Sequence, residues 1–240
     1  MSETVVVVLA DGDILAASVA ARLVVKIIDA QAVRGGAHVV LTGGRIAAKV
    51  LRSVQDLPAV DAIDWSRVDL WWGDERFLPE GDKERNATQA REALLDALPI
   101  DPARIHEMPP SDGPDGDDAE AAAARYAREL ATDGAELPHF DVLMLGVGED
   151  GHVASIFPGY PEGQGVTAAV YNSPKPPPTR ITLTMPAIQS AEEVWLIASG
   201  EGKAEAVGQA RSGADLPAAR ATGTARTLWL LDRAAAAEIS

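Results

Sequence analysis

The chain contains no cysteine. Disulfides, thiolate-bound zinc and cysteine nucleophiles are therefore excluded, and the lack of cross-links fits a reducing compartment. Positive charge is also scarce. Lys and Arg number 21 against 36 Asp and Glu, which leaves a formal net charge of −15. A general nucleic-acid binder would present a basic face, so that class is set aside. No stretch approaches the roughly 18–20 apolar residues of a membrane span. The opening Met-Ser-Glu-Thr has no basic residue of the kind that starts a signal peptide. The expectation is a cytoplasmic protein that partners neither nucleic acid nor membrane.

What is present is a sizeable apolar fraction. The 240 residues are 47% hydrophobic, enough for a substantial core. Strand-like and helix-like segments alternate. Val5 to Ala10 is a β-branched run of the kind found in strands buried on both faces of a parallel sheet. Asp11-Gly12-Asp13 supplies turn and cap chemistry, and helical periodicity runs from Ile14 to about Val33. The plan repeats: a strand at His38–Thr42, a turn at Gly43-Gly44, and a helix from about Arg45 to Val54. Val68–Trp72 reads as a third strand and Asn86–Leu98 as a helix. An acidic, turn-rich loop at 109–118 precedes an alanine-rich helix that ends near Ala131. Phe140–Leu145 is a further buried strand. Ser173-Pro174-Lys175-Pro176-Pro177-Pro178 is a stiff surface loop. Late strands are expected at Ile181–Thr184, Val194–Ala198 and Thr227–Leu231. The fold class is α/β, a three-layer Rossmann-like arrangement with a mainly parallel sheet flanked by helices. With no repeats and no clear linker, residues 1–240 read as one domain. Ligands of such sheets collect beyond the carboxyl ends of the strands.

The chemistry-bearing motifs all fall at those ends. Gly43-Gly44 lets backbone N–H groups approach a ligand, and the helix N-terminus behind it favours an anion; the same pair also makes an ordinary turn. Gly73-Asp74-Glu75-Arg76 places three charges after a buried Trp-Trp strand. Arg76 there suits a phosphate and Asp74 sugar hydroxyls, or the segment is a salt-bridged loop that holds a strand end. In Gly146-Val147-Gly148-Glu149-Asp150-Gly151-His152, a carboxylate and an imidazole stand two positions apart. An imidazole of pKa near 6.5 can take a proton from water, and a carboxylate can orient it. The alternative for His152 is a buried histidine that caps the next helix. A metal site from His139, Asp141, Asp150 and His152 matches no known ligand spacing. His38 and His106 read as structural. Ser155 lacks the Gly-x-Ser-x-Gly setting of a nucleophile. Lys175 on the proline-stiffened loop, with Arg180 before a strand, could clamp phosphate at low entropic cost, or serve solubility. Lys203, after Gly200-Glu201-Gly202, reads as structural or peripheral.

Taken together, these segments resemble the 6-phosphogluconolactonase family, whose wider superfamily includes glucosamine-6-phosphate isomerase/deaminase. The resemblance spans nearly the whole chain: Leu41-Thr42-Gly43-Gly44, Gly73 to Pro79, Gly146 to Gly159, Ser173 to Pro177 and Thr227 to Asp232. Its most specific element is the Asp-Gly-His-x-Ala-Ser-x-Phe-Pro-Gly run from Asp150 to Gly159. It implies hydrolysis of 6-phospho-D-glucono-1,5-lactone to 6-phosphogluconate in the oxidative pentose phosphate pathway, without metal or organic cofactor. It implies His152 as base and Asp150 as its carboxylate. Gly43, Gly44, Asp74, Arg76, Lys175 and Arg180 are implied around the substrate. Many members carry Ser or Thr after the two glycines. Here Arg45 stands in that place, so charge replaces a hydroxyl or the phosphate leans more on Lys175 and Arg180. The substrate is an anion and the chain is acidic, so its cations must act locally in a cleft.

Two rival readings remain at this point. The isomerase/deaminase branch continues its Asp-Gly-His segment with Phe-Asn-Glu-Pro, whereas Ala154-Ser155-Ile156-Phe157-Pro158 follows here. A non-catalytic sugar-phosphate effector domain would accompany a helix-turn-helix module, and this chain enters its first strand directly. Oligomeric state is not legible in the sequence, with which a monomer is compatible.

Overall fold

The computed structural model describes residues 2–131 and 134–239, so Met1 of the N-terminal stretch lies outside the described residues. The strands are β1 (Glu3–Leu9), β2 (Ala37–Leu41), β3 (Val68–Trp72), β4 (Asp74–Arg76), β5 (Val142–Gly146), β6 (Thr167–Val170), β7 (Arg180–Leu183), β8 (Glu193–Ala198) and β9 (Arg226–Asp232). The helices are α1 (Gly12–Arg34), α2 (Arg45–Gln55), α3 (Asn86–Ala93), α4 (Ala119–Leu130), α5 (Met185–Gln189), α6 (Ala204–Arg211) and α7 (Pro217–Arg220).

Six strands form a wholly parallel sheet in the order β1-β9-β8-β5-β2-β3. Parallel strands need crossovers, and these place helices on the sheet faces. The inner strands are accordingly apolar throughout: Val142 to Leu145 and Val194 to Ala198 are buried. From β2 the chain moves outward to β3. From β5 it moves the other way, through β8 to β9. The β2/β5 gap is thus a topological switch point, where parallel sheets open a crevice at their carboxyl ends. The loops leaving these two strands touch there, since Gly146 N–H donates to Thr42 Oγ1 at 3.3 Å.

Several expectations change. β1 is an edge strand with Val8 49% exposed, not a strand covered on both faces. A β-branched run signals strand, but its place in the sheet depends on which strand returns beside it. The helix expected over Asn86–Leu98 stops at Ala93. Leu94 leaves helical geometry, and a separate 3-10 turn, Leu95–Ala97, follows. Asp74–Arg76 is a strand, not a loop. It pairs with β7, which also pairs with β6, in a second, antiparallel sheet. Gly73 joins the sheets: its N–H donates to Leu41 O at 3.0 Å and its carbonyl accepts from Leu183 N–H at 2.8 Å. The 109–118 loop is tied to α4, where Asp118 caps the helix and Asp115 accepts two bonds from Arg125.

His38 and His106 flank Trp71. Trp71 Nε1 donates to His38 Nδ1 at 3.2 Å, and the His106 ring stacks on the indole at 3.7 Å. His106 also bridges Asp69 on β3 and Glu129 on α4. His139 and Asp141 lie before β5, beside Glu192 before β8, so they sit at the opposite end of the sheet from His152. The four-residue metal grouping therefore does not assemble. The acids of this cluster are occupied: Arg34 pairs with Asp141, and Lys26 Nζ reaches Glu192 at 2.7 Å.

Candidate active site

The loop after β5 is folded so that its two chemical groups meet. Gly148 N–H donates to His152 O at 2.8 Å, and Gly151 N–H to Gly148 O at 3.1 Å. This tight turn brings His152 Nδ1 to 2.5 Å from Asp150 Oδ1. A side chain at 148 is forbidden, because its Cβ would lie 2.0 Å from His152 Nδ1. The ring leans on Phe157 with centroids 4.6 Å apart. With Nδ1–H directed at Asp150, the assigned tautomer leaves the Nε2 lone pair free. His152 keeps 21% of its side chain exposed and lines a cleft of about 660 Å³. Burial lowers its pKa and prevails over the Asp150 charge that raises it, so the fold favours the neutral ring. Burial pushes the Asp150 carboxyl up, but the charge and hydrogen bonds of His152 prevail and bring it below its usual value.

The β2 loop forms the facing wall. Gly44 caps α2 with no side chain, so the first N–H groups of that helix lack a side-chain acceptor. A Cβ on Gly43 would sit 1.8 Å from Asn86 Oδ1. That glycine is there because the Asn86 carboxamide occupies the space. Asn86 Nδ2 donates to Asp74 O at 2.9 Å, and Ser155 Oγ donates to Asp74 Oδ2 at 2.7 Å. Ser155 is 2% exposed and serves as a donor to Asp74. Next to it, buried Glu75 caps α3 from outside the helix, accepting from the N–H groups of Asn86 and Ala87 as well as Arg76.

Every residue expected around a substrate lines this one cleft: Gly43, Gly44, Arg45, Asp74, Arg76, Lys175 and Arg180. Asp150 does not line it and is bonded to His152, which does. Arg180 is largely consumed by the proline loop, donating to the carbonyls of Lys175, Pro176 and Pro177. Its guanidinium thus fixes the segment that carries Lys175. Lys203, expected as structural or peripheral, lines the cleft near Lys175 and Arg45 and so is not peripheral. Lys49, one turn beyond Arg45 on α2, adds a further cation and pairs with Asp13. The acidic chain therefore gathers six cations around one crevice, facing Asp74 and Glu149.

The family model described as glucosamine-6-phosphate isomerases/6-phosphogluconolactonase matches residues 10–229. This chain belongs to that family. A family member from Streptomyces coelicolor, named 6-phosphogluconolactonase, is 59% identical, covering 100% of this chain and 96% of its own length. One of the same name from Mycobacterium tuberculosis is 50% identical over 95% of this chain and 96% of its own. The solved 6-phosphogluconolactonase of Trypanosoma brucei superposes with a TM-score of 0.85 at 27% identity, covering 100% of both chains. A solved glucosamine-6-phosphate deaminase is 20% identical with a TM-score of 0.80, covering 98% of this chain and 99% of its own, which shows a shared fold.

Among the cleft residues, Asn86, Lys49 and Lys203 escaped the sequence reading of the site. Asn86 opens a helix and looks like any polar N-terminal residue; only the Gly43 contact reveals it. Lys203 had a readable signal, a Gly-x-Gly-Lys turn directly after a buried strand, which matches the strand-end rule applied to the other motifs.

Proposed function

We propose that this chain hydrolyses 6-phospho-D-glucono-1,5-lactone to 6-phosphogluconate, the lactone step of the oxidative pentose phosphate pathway, with His152 as the base. The observation that carries this reading is the free Nε2 of a neutral, Asp150-braced imidazole in a cleft ringed by cations. Lys175, Lys203 and Arg45 hold the phosphate with the free N–H groups of α2, while Arg76 and Arg180 add charge. This places the C1 carbonyl before His152. Nε2 takes a proton from water, and the hydroxide attacks C1. Backbone N–H groups of the glycine turns receive the oxyanion. The C1–ring oxygen bond then breaks, and the proton returns from the imidazolium to the leaving alkoxide. The route uses water alone.

We read the chain as one domain, because its buried apolar residues form one cluster that both sheets share. Among the described residues, no helix is long and apolar enough to cross a membrane. With the absence of cysteine, this supports a cytoplasmic location.

The test is a coupled assay on freshly generated lactone, corrected for spontaneous hydrolysis. His152→Ala should lose about 10²–10⁴-fold in kcat with its melting temperature nearly unchanged. Near-normal turnover by that variant would falsify the assignment.

A further inference from the structure

Asp232 ends β9 beside the cleft without lining it, and is 5% exposed. Its carboxylate accepts from Ser199 Oγ at 2.6 Å, from Gly200 N–H at 3.1 Å and from Ala235 N–H at 2.8 Å. Ser199 and Gly200 do line the cleft, and they launch the short 3-10 turn Glu201–Lys203. Lys203 N–H donates back to Gly200 O at 3.1 Å, so Gly200 and Lys203 are rigidly linked. The start of α1 leaves room for the Ser199 hydroxyl: a Cβ on Gly12 would lie 2.7 Å from Ser199 Oγ. Three chain segments thus converge on the base of the turn that carries Lys203.

We propose that Asp232 is a positioning residue for phosphate binding: it anchors the Ser199–Gly200 turn and thereby holds the Lys203 ammonium in the cleft. This rests on the reading of Lys203 as a phosphate ligand. The physical need is specific. Lys203 is half-buried: burial and the charges of Lys175 and Arg45 disfavour its ammonium there, and together they outweigh the pull of Glu149 and Asp150. A lysine stem is flexible and its ammonium strongly hydrated, so on a loose turn it would swing out to water. A buried carboxylate that accepts from both residues of the turn removes that freedom before substrate arrives.

The test is steady-state kinetics with melting temperatures for Lys203→Ala, Asp232→Asn, Ser199→Ala, Gly12→Ala and the Lys203→Ala/Asp232→Asn double variant. Lys203→Ala should raise KM roughly 10- to 100-fold with little change in kcat. Asp232→Asn puts an amide donor against the Gly200 N–H and should raise KM about 5- to 20-fold, with kcat within about twofold. Ser199→Ala, and Gly12→Ala by displacing the Ser199 hydroxyl, should shift KM less and in the same direction. The double variant should be no worse in KM than Lys203→Ala alone, because the anchor has nothing left to hold. A merely structural Asp232 would lower folded enzyme and apparent kcat, and its effect would add to that of Lys203→Ala. If Lys203→Ala leaves KM unchanged, the phosphate reading of Lys203 fails and the anchor falls with it. If Lys203→Ala raises KM but Asp232→Asn does not, or its effect adds in full, only the anchor is overturned. Should Asp232→Asn fail to fold, Ser199→Ala combined with Lys203→Ala gives the same cycle with the carboxylate intact.

Discussion

An imidazole can serve as a base only while uncharged, and for the proposed base His152 its surroundings decide when that is. Burial lowers its pKa from 6.5, and Asp150 pulls the other way. The acid limb of kcat/KM should therefore report an apparent pKa below 6.5. Asp150→Asn removes the group that favours the charged ring, so the limb should move to still lower pH while the plateau falls, because the ring loses its brace. An acid limb that moves upward in Asp150→Asn would contradict the pairing. The same shift bears on stability. The fold favours the neutral ring, so its contribution is present above the unfolded pKa and lost as pH falls through the folded value. Much of this residue-level chemistry was legible, since Asp150 and His152 stand two positions apart in the chain and Gly148 and Gly151 mark the turn that brings them together. What could not be read was Asp150 sitting off the cleft, or Arg180 spending its donors on the proline loop. Both depend on how distant segments fold against each other.

At the scale of elements, long periodic segments were legible and short ones were not. α1 is 23 residues with a capping Asp11 and a terminating Gly35, so local signals agree along its whole length. β4 has three residues and β6 four, too few for a period to register. They exist because β7 lies between them. β4 also supplies Glu75, whose carboxylate replaces the side-chain cap that α3 lacks. Glu75→Ala should strand those N–H groups and take the acid away from the buried Arg85 guanidinium, which keeps its bonds to Leu78 O and Met108 O, costing about 1–3 kcal/mol and lowering the melting temperature by several degrees. A loss under about 1 kcal/mol in denaturant unfolding would refute that role. His106 joins β3 to α4 differently. Burial works against its charge, but bonds to Asp69 and Glu129 raise its pKa overall. Its stabilisation is complete below pH 6.5 and fades as pH rises through the higher folded value. His106→Gln should flatten that part of the melting-temperature profile.

At the scale of the molecule, a chain of net charge −15 is read here as binding an anion. The far field repels such a ligand, whereas the cleft, with its cations and low-dielectric walls, attracts it. These contributions respond to salt with opposite signs. Salt screens distant surface charges over about 8 Å at physiological ionic strength, which relieves the repulsion. It also weakens the pull of the exposed mouth of the cleft. Because Arg45, Lys49, Arg76, Lys175, Arg180 and Lys203 all line the crevice, the attractive part should win near the site. kcat/KM should then fall as salt rises from about 0.05 to 0.5 M. In a Lys175→Ala/Lys203→Ala variant the local pull is reduced and the repulsive background remains. Its kcat/KM, already lower, should become flat or rise with salt. A parallel decline in both proteins would mean that these two lysines do not set the field the substrate meets.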